Sequence, residues 1–133
     1  MTLALPDHFK EVLDGKAFAH LTTLDPDGFP QASAMWITRD GDHILFNTAR
    51  GRRKYRNMTA DPRIAISIST VDDDYVNYSI QGTVIEMRES DGVEVIDALA
   101  RKYTDSERYE WLTPGMVRVT IVVELTRIAS NRE

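Results

Sequence analysis

The chain has 133 residues, of which 42% are hydrophobic and 28% are charged, and its formal net charge at pH 7 is −5. This length and composition predict one globular domain spanning residues 1–133 and exclude disordered, collagenous and fibrous classes. The absence of cysteine excludes disulfides, thiolate nucleophiles and iron–sulfur clusters, and the three histidines are too scattered to predict a metal site. No apolar run is long enough to span a membrane and no basic-then-apolar leader is present, so a cytoplasmic protein is expected.

Hydrophobic periodicity and turn residues predict a mainly β domain. The predicted elements, in chain order, are helix 6–13, strands 17–24, 29–38 and 43–48, helix 51–59, strands 63–70 and 75–89, helix 91–103 and strand 116–128. Asp-Pro-Asp-Gly at 25–28 and Asp-Gly at 40–41 supply tight turns between the first three strands, and three aspartates predict an acidic turn at 71–74. Short antiparallel strands joined by tight turns predict a closed or nearly closed barrel of about six strands, because closure removes exposed edges.

Two of the predicted strands carry informative side-chain patterns. In strand 75–89 the apolar residues change parity near Gly82, which predicts a bulge or bend at that glycine. Strand 116–128 alternates, which predicts one face toward the core and one face outward. The residues expected to face the core are Val117, Val119, Ile121, Val123 and Leu125, and those expected to face out are Arg118, Thr120, Glu124 and Thr126.

A basic segment stands out in this acidic chain. Its six basic residues and one acid, in order, are Arg50, Arg52, Arg53, Lys54, Arg56, Asp61 and Arg63. A solvated helix face would also produce such a cluster, but its concentration favours a small-anion site over a nucleic-acid track, which needs charge along a long face. Strand 43–48 runs into the predicted basic helix, where free backbone N–H groups, the helix dipole and the Thr48 hydroxyl would converge on a phosphate.

Residues 30–36, with the sequence Pro-Gln-Ala-Ser-Ala-Met-Trp, carry a run of small side chains on a predicted strand. Such a run would let a flat ring approach the backbone, with Gln31 and Ser33 as hydrogen-bond partners. A strand that passes beneath a helix would need small side chains equally, so the pattern alone leaves both interpretations open. The chain has no nucleophile elbow and no glycine-rich phosphate loop, and no catalytic side chain is predicted. A bound cofactor is therefore expected to perform the chemistry.

Taken in order, these residues resemble a known superfamily. They are Asp27-Gly28-x-Pro30-Gln31, Asn47-Thr48-Ala49, Arg52, Lys54, Arg56-Asn57-Met58 and Asp61-Pro62-Arg63. The pattern resembles the split β-barrel flavin-binding superfamily that includes pyridoxamine 5'-phosphate oxidase, and more closely its branch of small oxidoreductases that use the deazaflavin coenzyme F420. The similarity runs over nearly the whole chain. It implies a six-stranded antiparallel FMN-binding split β-barrel of Greek-key topology with two or three short helices.

The resemblance also implies where the cofactor would lie. Arg52 and Lys54 match the basic pair that holds the cofactor phosphate, and the strand that includes Met35 and Trp36 matches the one along the tricyclic ring. The implied cofactor-binding residues are Gln31, Ala32, Ser33, Met35, Trp36, Asn47, Thr48, Ala49, Arg52, Arg53, Lys54 and Tyr75. Family members are homodimers with cofactor sites between subunits, and an aromatic residue near Tyr75 approaches from the partner. Arg50 and Arg53 are unusual for the family and would meet the acidic tail of the deazaflavin or nothing.

Three functions follow from the resemblance and the residues. The leading expectation is a reductase in which reduced F420 donates a hydride to a small unsaturated organic molecule. The second is an FMN-binding oxidase or reductase, and the third is a non-catalytic cofactor-binding protein or a barrel whose basic segment meets a nucleic acid, which the net negative charge disfavours. The pyridoxamine phosphate oxidases proper are longer and end in a segment that grips substrate phosphate. The chain ends at Glu133 without such a segment, so that activity is disfavoured.

Overall fold

A computed structural model describes residues 3–70 and 76–131 of the chain. The helices are α1 (Asp7–Asp14), α2 (Arg53–Ala60) and α3 (Gly92–Tyr103). The strands are β1 (Phe18–Leu24), β2 (Pro30–Met35), β3 (Thr38–Asp40), β4 (His43–Ala49), β5 (Arg63–Ser69), β6 (Asn77–Arg88) and β7 (Arg118–Ser130). The predicted acidic turn at 71–74 lies outside the described residues. No helix in the described ranges is long and apolar enough to cross a membrane.

The strands form one antiparallel sheet in the order β2-β1-β5-β6-β7-β4-β3. This order places β2 and β3 at opposite edges, although only Trp36 and Ile37 separate them along the chain. The three residue steps from Met35, the end of β2, to Thr38, the start of β3, span at most about 11 Å. The two edges of the sheet must therefore come together at this connection, so the sheet must be strongly coiled. The sheet is nevertheless not closed, because β2 and β3 do not pair within the described ranges.

The expectation of six strands is wrong, because the predicted strand 29–38 is divided into β2 and β3. At the break, the backbone of Ile37 is hydrogen-bonded to side chains of α3 instead of to a neighbouring strand. The Ile37 carbonyl accepts from Lys102 Nζ at 2.6 Å, and the Ile37 N–H donates to the Tyr103 hydroxyl at 3.3 Å. Two helical side chains therefore take the place of a strand partner and let the chain turn the corner without glycine or proline.

The predicted irregularity in β6 is confirmed. The pairing of β6 with β7 shifts register between Gln81 and Gly82 and again between Val84 and Glu86. A Cβ atom on Gly82 would lie 2.7 Å from the Glu124 carbonyl oxygen, so the two strands approach more closely than any side chain at this position permits. The glycine therefore allows one long strand to bend with the coiled sheet.

The core lies on the inner face of the sheet and is closed at one end by α1. The predicted inward-facing residues of β7 from Val119 to Leu125 are buried, together with isoleucines of β5 and three apolar residues of α1. Arg118 and Thr120, which were expected to face out, are only 4% and 0% exposed. They point away from the core, but α3 packs over that face of β4 and β7 and buries its own Ile96 and Leu99. The helix therefore shields the outer face of β7 from solvent at this position.

The end of α3 is attached to the rest of the fold through Lys102. Its ammonium group donates to the carbonyl oxygens of Leu13 and Ile37. Burial lowers the pKa of Lys102 from its ordinary 10.5 to about 8, although the nearby Asp14 carboxylate partly opposes this shift. The unfolded chain therefore holds a proton on Lys102 more strongly than the folded chain does.

This difference predicts a pH dependence of stability. The unfolded chain binds the extra proton between pH 8 and 10.5, so the contribution of Lys102 to the free energy of unfolding is expected to rise with pH across this window. Urea unfolding of the wild type and Lys102→Met, at about pH 7.5 and about pH 9.5, would measure it. The difference in unfolding free energy should move in favour of the wild type at the higher pH. A difference that does not change with pH would contradict the prediction.

Candidate functional site

A cavity of about 470 Å³ lies between the end of β2, the start of α2, and α3 with the segment that follows it. One group of lining side chains is polar and basic and is called the basic end here: Asn47, Arg52, Lys54 and Arg118. A second group is aromatic and is called the aromatic end: Trp36, Tyr103, Tyr109 and Trp111. Each group is built from several elements of the fold, and the two meet where Arg118 contacts Tyr109.

The basic end is held in place by a buried amide. Asn47 of β4 is buried, and its Nδ2 donates to the Gly92 carbonyl oxygen at the start of α3 at 2.8 Å. Its Oδ1 accepts a hydrogen bond from Arg118 Nε at 2.8 Å. Asn47 thus fixes the guanidinium of β7 relative to both β4 and α3. Arg52 and Lys54 approach from the start of α2, where Arg52 is the N-cap residue.

The electrostatics of the basic end favour an anion. Burial lowers the pKa of Lys54, and the charges of Arg52 and Arg118 lower it further. Burial also lowers the pKa of Arg118, against an opposing effect of Tyr109 and with a further lowering by Arg52. In the described part of the chain, no carboxylate forms an ion pair with any of these three side chains. A phosphate dianion would relieve the mutual repulsion, so the residues fit a phosphate-bearing group.

The other basic residues of segment 50–63 are engaged elsewhere, and the structure separates them from the cavity. Their partners are Glu89 for Arg50, Asp25 for Arg53, the Gly51 carbonyl for Arg56 and Asp61 for Arg63. Asp25 also accepts a hydrogen bond from Asn57 Nδ2 at 2.9 Å, which ties α2 to the β1–β2 turn. Arg52 and Lys54 are therefore the members of the basic segment that remain for a ligand.

The aromatic end offers flat surfaces to a planar ligand. The rings of Trp36 and Tyr103 stack with centroids 5.6 Å apart and planes 8° apart. Tyr109 lies edge-on to Trp36 at 6.3 Å and in turn meets Trp111 at 5.4 Å. The Arg118 guanidinium lies 4.9 Å from the centre of the Tyr109 ring, which joins the aromatic end to the basic end. A cofactor with a planar ring and a phosphate matches both ends of the cavity.

The family model for pyridoxamine 5'-phosphate oxidase matches residues 5–129. The chain belongs to this family. Among solved structures it is similar to an F420 reductase, with 31% identity and a TM-score of 0.83 over 94% of this chain and 98% of that chain. These matches confirm the resemblance to the flavin-binding split-barrel superfamily, and an F420 reductase is among the similar structures.

More distant structures share the fold alone. A candidate pyridoxamine 5'-phosphate oxidase from Listeria innocua is 18% identical, with a TM-score of 0.73 over 96% of this chain and 98% of that one. An FMN-binding protein from Nostoc punctiforme related to pyridoxamine 5'-phosphate oxidase is 12% identical, with a TM-score of 0.63 over 85% of this chain and 72% of that one. No curated protein sequence matches the chain.

Some of the expected cofactor-binding residues line the cavity, and others do not. Those that line it are Met35, Trp36, Asn47, Arg52 and Lys54. Those that the structure places outside its lining are Gln31, Ala32, Ser33, Thr48, Ala49 and Arg53. Tyr75 lies outside the described residues. The small-residue strand therefore contributes to the cavity only at its end, where β2 turns the corner toward β3.

The expected residues outside the lining have other neighbours. Gln31 and Ser33 lie on the same face of the sheet as Leu21 and Thr23 of β1, and Gln31 Oε1 accepts a hydrogen bond from the Thr23 hydroxyl at 3.4 Å. The hydroxyl oxygens of Ser33 and Thr48 are buried without a hydrogen-bond partner among the described residues. Both groups retain unused hydrogen-bonding capacity near the expected cofactor strand and turn.

The residues of the cavity that were not predicted from the sequence include Tyr103, Tyr109, Trp111 and Arg118. A signal for Arg118 exists in hindsight, since it is a long cation within a strand that is otherwise rich in valine and isoleucine. The pair Tyr109-x-Trp111 is a second signal, because it lies in a connecting segment and not in a strand or helix whose packing would explain two aromatic residues. Loop residues of this kind often bind ligands.

Proposed function

We propose that the chain is an F420-dependent oxidoreductase, a reductase that transfers a hydride between coenzyme F420 and a small unsaturated organic substrate. The observation that carries this proposal is the cavity lining, which combines three cations without carboxylate partners among the described residues with four aromatic side chains. The 31% identity to an F420 reductase, over nearly the full length of both chains, supports the deazaflavin as the cofactor.

The residues of the cavity have separate tasks in this proposal. Arg52 and Lys54 would bind the cofactor phosphate, and the aromatic wall that begins at Trp36 would orient the planar ring. When bound, F420 supplies the hydride chemistry. The protein contributes position and water exclusion, because a ligand that fills the space between β2 and α3 displaces solvent from the apolar surface around it.

FMN is the second candidate for the cavity. It carries a phosphate and a tricyclic ring, so the basic and aromatic ends would accept it in the same way. An FMN-binding oxidase or reductase would keep the same residues in the same tasks and change only the cofactor.

We also propose that the chain forms a homodimer with its cofactor sites between subunits. Phe18 and Trp111 line the cavity and remain 55% and 60% exposed, which is unusual for large aromatic side chains. Cover from a second copy would remove this apolar surface from water and complete the wall of the site. In this arrangement Tyr75 of a second copy would approach the ring.

A parallel titration tests the proposed function. F420 and FMN are added separately to protein purified without cofactor, and binding is followed by the change in cofactor fluorescence, with the mass of the complex measured by light scattering. We expect micromolar or tighter binding of F420 to a dimer, at least about tenfold tighter than FMN. Protein with bound reduced F420 is then mixed with a panel of enones and quinones, and cofactor oxidation is recorded.

The outcomes separate the alternatives. Preference for FMN would assign the protein to the flavin-using branch. Tight F420 binding without oxidation by any member of the panel would favour a non-catalytic cofactor-binding protein. Binding of neither cofactor would overturn the proposed function.

A further inference from the structure

We propose that Arg118 is a third phosphate-binding residue of this cavity and that Asn47 positions it. The inference deepens the proposed function and rests on it, since the phosphate belongs to the cofactor. It assigns a ligand-binding task to a residue of β7 that lies far along the chain from the basic segment 50–63.

Arg118 is placed as a binding residue rather than as a surface cation. It is only 4% exposed, yet it lines the cavity together with Arg52 and Lys54. Its Nε donates to Asn47 Oδ1, so one edge of the guanidinium is fixed by the fold. Its Nη1 contacts the Met116 sulfur at 3.8 Å, a weak acceptor. The Tyr109 side chain also hydrogen-bonds the guanidinium. Because the two terminal nitrogens carry four N–H groups, they keep capacity to donate to a ligand beside these contacts.

The surroundings of Arg118 do not balance its charge. Its polar neighbours are the neutral Asn47 amide and Tyr109, and the nearby charge of Arg52 is of the same sign. A buried guanidinium that serves only the fold is ordinarily paired with a carboxylate, because burying an uncompensated charge costs several kcal/mol. Within residues 3–70 and 76–131 no carboxylate forms an ion pair with Arg118. The missing negative charge is therefore expected from a ligand.

The shape of the donor group indicates the class of ligand. With Nε occupied by Asn47, the N–H groups of the terminal nitrogens that are not used by Met116 or Tyr109 remain for the oxygens of an anion. A phosphate monoester presents such oxygens and carries enough charge to be shared with Lys54 and Arg52. The tie from Asn47 to the Gly92 carbonyl keeps this donor group at a fixed place between β4 and α3. Asn47 thus acts on the ligand through Arg118, since its amide is hydrogen-bonded to Arg118 and to the Gly92 carbonyl.

Inorganic phosphate is the probe that tests this inference without a cofactor. The wild-type protein is labelled with ¹⁵N, and the Arg118 side-chain resonances are followed by NMR while phosphate is added. We expect the Nη resonances of Arg118 to shift with the same saturation curve as the resonances of Lys54. Arg118 resonances that stay in place while Lys54 responds, or no response of either group, would overturn the proposal.

Variants give a second measurement. Arg118→Met is expected to raise the phosphate dissociation constant about tenfold or more, and Arg118→Lys, which keeps the charge but not the paired donors, is expected to lie between it and the wild type. Arg56→Met is the matched control, since Arg56 bonds the Gly51 carbonyl, and less than about a twofold change is expected there. Equal losses in Arg118→Met and Arg56→Met would contradict a specific contact.

The two proposals fail in different ways. If neither F420 nor FMN binds but phosphate still shifts Arg118, the anion site stands and the proposed function falls. If F420 binds tightly and its affinity is unchanged in Arg118→Met, the proposed function stands and the assignment of Arg118 falls.

Discussion

Replacing both Arg52 and Lys54 with alanine is expected to weaken cofactor binding by about 100-fold or more, because each hydrogen bond to a charged group contributes about 1.5–3 kcal/mol. These two side chains line the basic end of the cavity and have no ion-pair partner among the described residues. Their removal therefore costs ligand contacts without leaving a buried carboxylate unpaired. Fluorescence titration of F420, and of FMN in parallel, measures the loss.

The control is the double variant Arg53→Ala, Arg56→Ala, which removes the same charge from the same helix. These side chains bond Asp25 and the Gly51 carbonyl, and they do not line the cavity. Salt at about 0.15 M weakens the attraction between a ligand and exposed charges that do not contact it, so a change of less than about threefold is expected. If both double variants lose affinity equally, the basic segment attracts the ligand through its overall charge and the specific site is wrong.

The sequence predicted the basic end of the cavity in part. Arg52 and Lys54 stand in a segment whose charge is conspicuous in an acidic chain, so local composition was enough to identify them. Arg118 required tertiary information. Alternation along β7 correctly separates the inner face from the outer face, but it does not reveal that α3 covers the outer face at this position. An outward residue is exposed only where nothing packs on it, and the position of a helix is not a local property of the strand.

The prediction of strand boundaries from local sequence is limited in the same way, because distant residues also determine them. The bulge near Gly82 was predictable because a glycine and a change of parity coincide in the sequence, and the register shift at Gln81/Gly82 confirms it. The break between β2 and β3 has no glycine or proline to mark it. It depends on Lys102 and Tyr103, which lie more than sixty residues further along the chain and satisfy the backbone of Ile37. Local turn chemistry identifies a break only where the local residues cause it.

Gly92→Ala is expected to destabilise the fold strongly for so small a substitution. A Cβ atom on Gly92 would lie 1.9 Å from the Arg118 carbonyl oxygen and 2.4 Å from the Arg118 carbonyl carbon. Both are backbone atoms of a buried strand, so α3 would have to move away from β7. That movement would also break the hydrogen bond from Asn47 Nδ2 to the Gly92 carbonyl, at the base of the site.

The direction of the effect follows from magnitudes. Alanine in place of a helical glycine favours the helix by up to about 1 kcal/mol. Forcing an atom into a packed contact costs about 1–3 kcal/mol, and an unsatisfied buried amide adds about 1–3 kcal/mol. The steric and hydrogen-bonding costs together exceed the helical gain, so the free energy of unfolding is expected to fall by about 3 kcal/mol. Cofactor affinity should fall as well, because a displacement between α3 and β7 would disturb the position of Arg118 in the cavity.

Gly15→Ala is the matched control for this prediction. Gly15 follows α1 with a φ of −94°, and a Cβ there would lie 3.7 Å from the nearest atoms, which is ordinary contact. Alanine at this position is expected to leave the free energy of unfolding within about 0.5 kcal/mol of the wild type, since its conformation suits an L side chain. Urea unfolding of the three proteins gives the comparison. If Gly92→Ala unfolds at the same urea concentration as Gly15→Ala, α3 can shift on β7 at little cost, and the close packing that fixes Asn47 and Arg118 is not rigid.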